Sequence, residues 1–135
     1  MEKIKHKHLL IRAEVNKPPE NEDEIKEWLQ YLISKIDMKI LAGPYASKVD
    51  KPVGNKGLTG VAIIETSHVV IHTWDEKNPA LVQLDVYSCK DFKKHTVVEC
   101  LEDFEPVQID YKYFDRENNF KEIDNEHKEN EQDKK

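Results

Sequence analysis

The chain has 135 residues, of which 36% are charged and 38% belong to the hydrophobic set, and its formal net charge is −6. That length accommodates one domain. No apolar run approaches the ~20 residues of a membrane helix, and the acidic balance supplies no general basic field for nucleic acid. Two cysteines, Cys89 and Cys100, are too few for a disulfide scaffold and point to a reducing cytoplasm. The N-terminal stretch Met1 to Lys7 has no small-residue cleavage site and does not read as a signal peptide.

In chain order, Leu9, Leu10, Ile11, Ala13 and Val15 predict a first strand, closed by Asn16-Lys17-Pro18-Pro19. Ile25, Trp28, Leu29, Leu32, Ile33 and Ile36 then recur with helical spacing and form one apolar stripe. Asn21 is placed to cap that helix, with Glu24 three residues on. Residues 38–42 predict a second strand ended by Gly43-Pro44, and 46–57 read as a loop. Strands are expected at 58–64, 69–74 and 81–87, with a tight turn at 65–68. Val97, Val98, Leu101 and Phe104 mark a short second helix, and Val107, Ile109, Tyr111 and Tyr113 a last strand.

This order implies an α+β fold, a two-layer α/β sandwich with helices on one face of a mainly antiparallel sheet. Strands apolar on both sides, as 58–64 and 81–87 read, would need a second sheet, and a homodimer is the simple way to supply one. The domain is expected to span 1–114. Residues 115–135 carry eight acids, five bases and only two large apolar side chains, so they are expected to form a disordered acidic tail.

Reactive residue types concentrate in Thr66-Ser67-His68, His72-Thr73-Trp74 and Cys89. His68 and His72 lie about 13 Å apart on an extended strand, too far to share one zinc ion. His6 and His8 share a strand face without an evident third ligand, so no metal is expected. A Walker loop, G-x-G-x-x-G, H-E-x-x-H and G-x-S-x-G are all absent. From the residues alone the reading ends at a Ser/His/Cys cluster around a hairpin.

Three segments carry a more specific signal: Gly57-Leu58-Thr59-Gly60-Val61, then Ser67 through Glu76 (SHVVIHTWDE), then Leu84 through Cys89 (LDVYSC). They resemble the short prokaryotic form of the S-adenosylmethionine decarboxylase family, with its G-[VI]-[ST]-G, E-S-H-x-x-I-H-T-W-P-E and D-[VL]-[YF]-[TS]-C signatures. The steps from Thr59 to Ser67 and from Ser67 to His72 agree without gaps.

The resemblance implies a pyruvoyl-dependent decarboxylase of S-adenosylmethionine, supplying polyamine (spermidine) synthesis, that makes its own cofactor by cleaving the Thr66–Ser67 bond. The pyruvoyl carbonyl from Ser67 would take the substrate amine as a Schiff base. By the same resemblance, Thr59 supports the cleavage intermediate and His72 removes the Ser67 α-proton. Cys89 is the acid that reprotonates the α-carbon, Glu76 holds the ribose hydroxyls, and His68 packs beside the cleaved bond.

Three positions differ from the family pattern. Thr66 replaces a glutamate, Asp75 a proline, and Val53-Gly54-Asn55-Lys56 stands where an aromatic usually stacks on adenine. The missing aromatic raises the alternative of an arginine or ornithine decarboxylase on the same scaffold. Thr66 raises that of a non-processing homologue acting as a binding or regulatory subunit.

Overall fold

A computed structural model describes residues 4–123. Nine elements carry the argument: β1 (Lys7–Val15), α1 (Glu22–Lys35), β2 (Ile40–Val49), β3 (Gly57–Ile64), β4 (Ser67–Trp74), β5 (Ala80–Ser88), α2 (Lys94–Cys100), β6 (Pro106–Asp115) and β7 (Lys121–Glu122). A single 3-10 turn, Leu101–Phe104, follows α2. The strands form one sheet in the order β2-β3-β4-β5-β1-β6-β7, and every recorded pairing is antiparallel. With two helices on one side, this is the two-layer α+β sandwich expected from the element order.

Period-2 alternation decides which face is which. Leu9, Ile11, Ala13 and Val15 of β1, Val69 and Ile71 of β4, and Val82, Leu84 and Val86 of β5 are buried. They form one core with the α1 stripe of Ile25, Trp28, Leu29, Leu32 and Ile33. The helix begins where its caps place it. Asn21 accepts from the Glu24 amide at 2.9 Å, and Glu24 accepts from the Glu20 amide at 3.0 Å. Trp28 donates its indole N–H to the Cys100 carbonyl at 3.0 Å, tying α1 to the end of α2.

The opposite face carries His8, Leu10, Arg12 and Glu14 of β1, His68, Val70, His72 and Trp74 of β4, and Leu81, Gln83, Asp85 and Tyr87 of β5. The register aligns these as cross-strand partners. Leu10 and Ile63 are exposed there, but polar side chains break the apolar surface, so β5 is not apolar on both sides as its sequence reads.

Two glycines let backbones meet. A Cβ at Gly57 would lie 1.8 Å from the Thr73 carbonyl oxygen, and one at Gly60 would lie 3.0 Å from Leu29 Cδ1. They bracket Thr59: the first allows β3 to close on the end of β4, and the second lets α1 rest on the sheet.

Several boundaries differ from the sequence reading. β2 does not stop at Gly43-Pro44 but continues to Val49, absorbing the interruption through register shifts on either side of Ala42. It is an edge strand of the sheet, where a proline need not donate to a ladder. The β3–β4 turn is only Glu65-Thr66, so Ser67 and His68 already belong to β4. At the C-terminus β6 reaches Asp115, and β7 pairs back through Phe114↔Glu122 and Asp115↔Lys121. Ordered pairing therefore runs beyond the expected boundary at 114, and residues 124–135 of the expected tail lie outside the described residues.

Gly57→Ala is expected to destabilise the fold by at least ~3 kcal/mol, because a backbone carbonyl cannot yield to the new methyl as a side chain can. Urea unfolding of the two chains measures the difference.

Candidate active site

The turn between β3 and β4 delivers Thr66 and Ser67 to one end of the sheet. Ser67 has φ = +154°, an angle that residues with a Cβ rarely adopt, and conformations of this kind cost ~1–3 kcal/mol and persist only where their surroundings hold them. Here both flanks are held. On the N-terminal side, the Thr66 carbonyl accepts the Cys89 backbone N–H at 2.9 Å, and the Thr66 hydroxyl donates to Met38 Sδ at 3.2 Å. On the C-terminal side, His68 Nε2 lies 3.3 Å from Asp85 Oδ1. The strained peptide is therefore the Thr66–Ser67 link, and its carbonyl oxygen already faces a fixed backbone donor of the oxyanion-hole type.

Cys89 follows β5 and is half-buried, with its own carbonyl accepting from the Lys5 amide at 3.0 Å. The other cysteine differs: burial pushes the Cys100 thiol up to about 11, which keeps it an inert thiol in the core.

A second group of side chains gathers further along β4. Thr59 and His72 are cross-strand partners, and Thr59 Oγ1 lies 3.0 Å from His72 Nδ1. The His72 and Trp74 rings have centroids 5.9 Å apart, and the Trp74 indole donates to Asn55 Oδ1 at 2.9 Å. Glu76 ties down the 50s loop, its Oε2 accepting from the Gly54 amide at 2.6 Å and the Lys56 amide at 3.2 Å. Trp74, Glu76, Val53, Leu81, Arg12 and Glu14 help line a cavity of about 750 Å³ beside this loop.

The two groups are not in contact within one chain. Ser67 and His72 are five residues apart along a strand, which is about 16 Å. The chain therefore brings together Thr66, Ser67, His68 and Cys89 at one end, and Thr59, His72, Trp74 and Glu76 towards the other.

The sequence reading missed the set around His68. His8 Nε2 lies 2.5 Å from the same Asp85 Oδ1 that binds His68, so one carboxylate oxygen joins two histidines. Burial raises the Asp85 carboxyl, but the hydrogen bond and field of His8, with those of His68, outweigh it and hold the group below the usual carboxylate range. These three side chains put potential ligand atoms within 4.8 Å of one another. Only the β1–β5–β4 register aligns them. His8 and Asp85 are 77 residues apart, and their outward parity on neighbouring strands is the one sequence signal that could have suggested a meeting.

A sheet with helices on one face and a strained junction at a hairpin defines a class of compact α+β domain with its reactive residues on turns and on the uncovered face. Comparison with known proteins makes the class specific. The family model for S-adenosylmethionine decarboxylase matches residues 10–117, and the chain belongs to that family.

It is 34% identical over 94 residues to the S-adenosylmethionine decarboxylase proenzyme of Clostridium botulinum (strain Langeland), covering 67% of this chain and 75% of that one. The corresponding proenzyme of Archaeoglobus fulgidus is 30% identical over 97 residues, covering 70% and 80%. In fold, the chain matches the crystal structure of the adenosylmethionine decarboxylase from Aquifex aeolicus VF5, with a TM-score of 0.66. That match is 22% identical and covers 84% of this chain and 92% of the other.

Because the Asp85 carboxyl is depressed in the folded state, its contribution to stability is present above its unfolded value of about 3.9 and is lost as pH falls through the folded value. Asp85→Asn should therefore lower the melting temperature at neutral pH, with the gap to the parent chain closing as pH falls below about 4. Thermal unfolding across that range checks the sign.

Proposed function

We propose that this chain is a self-processing, pyruvoyl-dependent S-adenosylmethionine decarboxylase that cleaves itself between Thr66 and Ser67. One observation carries the reading: the strained Ser67 backbone beside a Thr66 carbonyl already held by the Cys89 amide. It stands in a chain of the decarboxylase family.

In the processing step, Ser67 Oγ attacks the Thr66 carbonyl carbon, and negative charge develops on the oxygen that the Cys89 N–H faces. The C–N bond then breaks, the Ser67 nitrogen takes up the hydroxyl proton, and an ester links the two halves. Loss of the Ser67 α-proton expels the Thr66 carboxylate and leaves a dehydroalanine. Water replaces its nitrogen, releasing ammonia and giving a pyruvoyl group at position 67. Relief of the strain at Ser67 and the fixed donor both favour the attack over the relaxed, solvated peptide. The threonine before the serine is compatible with this step, since the reacting group there is a backbone carbonyl.

The pyruvoyl group supplies the electron sink for loss of CO2. Around it, Cys89 is the proton donor to the substrate α-carbon. The Glu76 carboxylate, with Oε2 engaged by the loop amides, offers Oε1 to the ribose hydroxyls. Trp74 supplies an aromatic face in the same cavity, which answers the absence of an aromatic at 53–56 and favours a purine-bearing substrate over arginine or ornithine.

His72, held by Thr59, is the base for the Ser67 α-proton, but it stands about 16 Å along its own strand from Ser67. We therefore assign the working enzyme as a homodimer in which two uncovered sheet faces pack together and the His72 end of one copy lies over the Ser67 end of the other. The half-exposed apolar residues Leu10 and Ile63 on that face favour such packing.

Intact-mass spectrometry of the purified chain is expected to give two fragments, 1–66 and 67–135, the second lacking a free amine. A chain that stays whole after long incubation would sink the enzyme reading in favour of a binding or regulatory homologue. Ser67→Ala should abolish cleavage. Labelled CO2 should be released from carboxyl-labelled S-adenosylmethionine and not from arginine or ornithine; release from either amino acid alone would reassign the substrate. Cys89→Ala should still cleave but lose at least about tenfold in CO2 release, and unchanged turnover would remove it from its role as proton donor.

A further inference from the structure

The segment just past β6, which the sequence reads as the start of a solvated tail, reaches back to the Ser67 end of the sheet. The Arg116 amide donates to the His6 carbonyl at 2.7 Å. The Arg116 guanidinium carbon stacks 4.1 Å from the Tyr87 ring centroid, and Nη1 lies 3.3 Å from His8 Nδ1. Tyr87 is the cross-strand partner of both His8 and His68, and its ring centroid is 5.4 Å and 5.7 Å from theirs. Its hydroxyl lies 2.9 Å from His6 Nδ1. Arg116 thus ends a connected set: Arg116, His8, Asp85 and His68, and His68 is bonded to Ser67 along the chain.

The donor chemistry gives this set a direction. A guanidinium can only donate, so His8 Nδ1 must accept and the His8 proton sits on Nε2. That N–H points at Asp85 Oδ1 at 2.5 Å. Asp85 in turn accepts from His68, at 3.3 Å. This order of donors and acceptors suits a positioning device. The Ser67 angle persists only while both of its neighbours are held, and on the C-terminal side the side-chain hold on His68 ends at Arg116.

We propose that Arg116 is a positioning residue for self-cleavage, acting through His8 and Asp85 to hold His68 and so keep Ser67 in its reactive backbone conformation. The proposal rests on the self-processing reading above. It places residues beyond 114 within the machinery of the domain. Without Arg116, the His8 ring loses the contact on Nδ1 that orients it, Asp85 loses its ordered partner, and the strained junction relaxes on one flank.

Two measurements on the full chain test this. In a proton–nitrogen correlation spectrum of the histidine rings, with a His8→Asn chain assigning the signal, His8 is expected to carry its proton on Nε2. In Arg116→Ala the proton should stay on Nε2, where the Asp85 carboxylate accepts it, while the Nδ1 resonance shifts as its guanidinium donor is lost. Cleavage followed by intact mass should slow about tenfold in Arg116→Ala, by analogy with other outer-shell orienting residues, and recover in part in Arg116→Lys, which keeps a donor. Arg116→Ala combined with Asp85→Asn should be no slower than Asp85→Asn alone, since both act on one path.

A proton on His8 Nδ1 in the parent chain, or effects of the two substitutions that multiply, would overturn the proposal. So would an unchanged cleavage rate in Arg116→Ala beside a lowered melting temperature, the pattern of a purely structural residue. A parent chain that never cleaves would fail the processing reading and, with it, the role of Arg116 in cleavage. The His8 spectrum would then show independently whether the Arg116–His8 arrangement itself exists.

Discussion

The hydrogen bond from the Cys89 amide to the Thr66 carbonyl joins the two parts of the chain on which the chemistry depends. It pins the β3–β4 turn to the end of β5, a segment more than twenty residues away. Once that turn is pinned, Ser67 enters β4 with a backbone angle an unconstrained serine would leave. The same bond directs a donor at the oxygen where charge would build during attack. Support for the strain and preorganisation for the reaction are therefore one contact. This is economical in a domain of this size, which has no spare element to dedicate to either task.

The antiparallel register extends that contact across the sheet. Because β4 lies between β3 and β5, its outward residues meet Thr59 on one side and Asp85 and Tyr87 on the other. His72 and His68 share a strand and a face, yet they serve different neighbourhoods, one beside Thr59 and Trp74 and one beside Asp85 and His8. The distance along the strand forbids a single-chain encounter between His72 and Ser67. The proposed pairing of two sheet faces follows from that spacing more than from apolar area, since the uncovered face is only partly hydrophobic.

Much of the fold was legible because its signals were local or strictly periodic. The α1 stripe, its Asn21 cap and the alternation of β1 state burial directly in the order of residues, whereas of the alternating apolar residues of β6 only Tyr113 is buried and Val107 is exposed. β2 misled because Gly43-Pro44 ends a central strand but not an edge strand, and edge position is a property of the assembled sheet. The segment after β6 misled because its composition is that of a solvated tail, while its order comes from the pairing of β7 with β6 and a few contacts of Arg116 with His6, His8 and Tyr87. No average over a window can register one guanidinium placed over one ring.

By itself, the sequence determined the fold class, the family signature and the reactive residue types, because these reside in short motifs and in periods of two and 3.6 residues. The tertiary structure decided the angle at Ser67, the donor for the Thr66 carbonyl, and the joining of His8 and His68 by Asp85 with Arg116 against His8. It also decided the separation of His72 from Ser67. Each of these depends on register between strands distant in the chain. A one-residue slip would turn every outward side chain inward, and only the packed core against α1 excludes that slip.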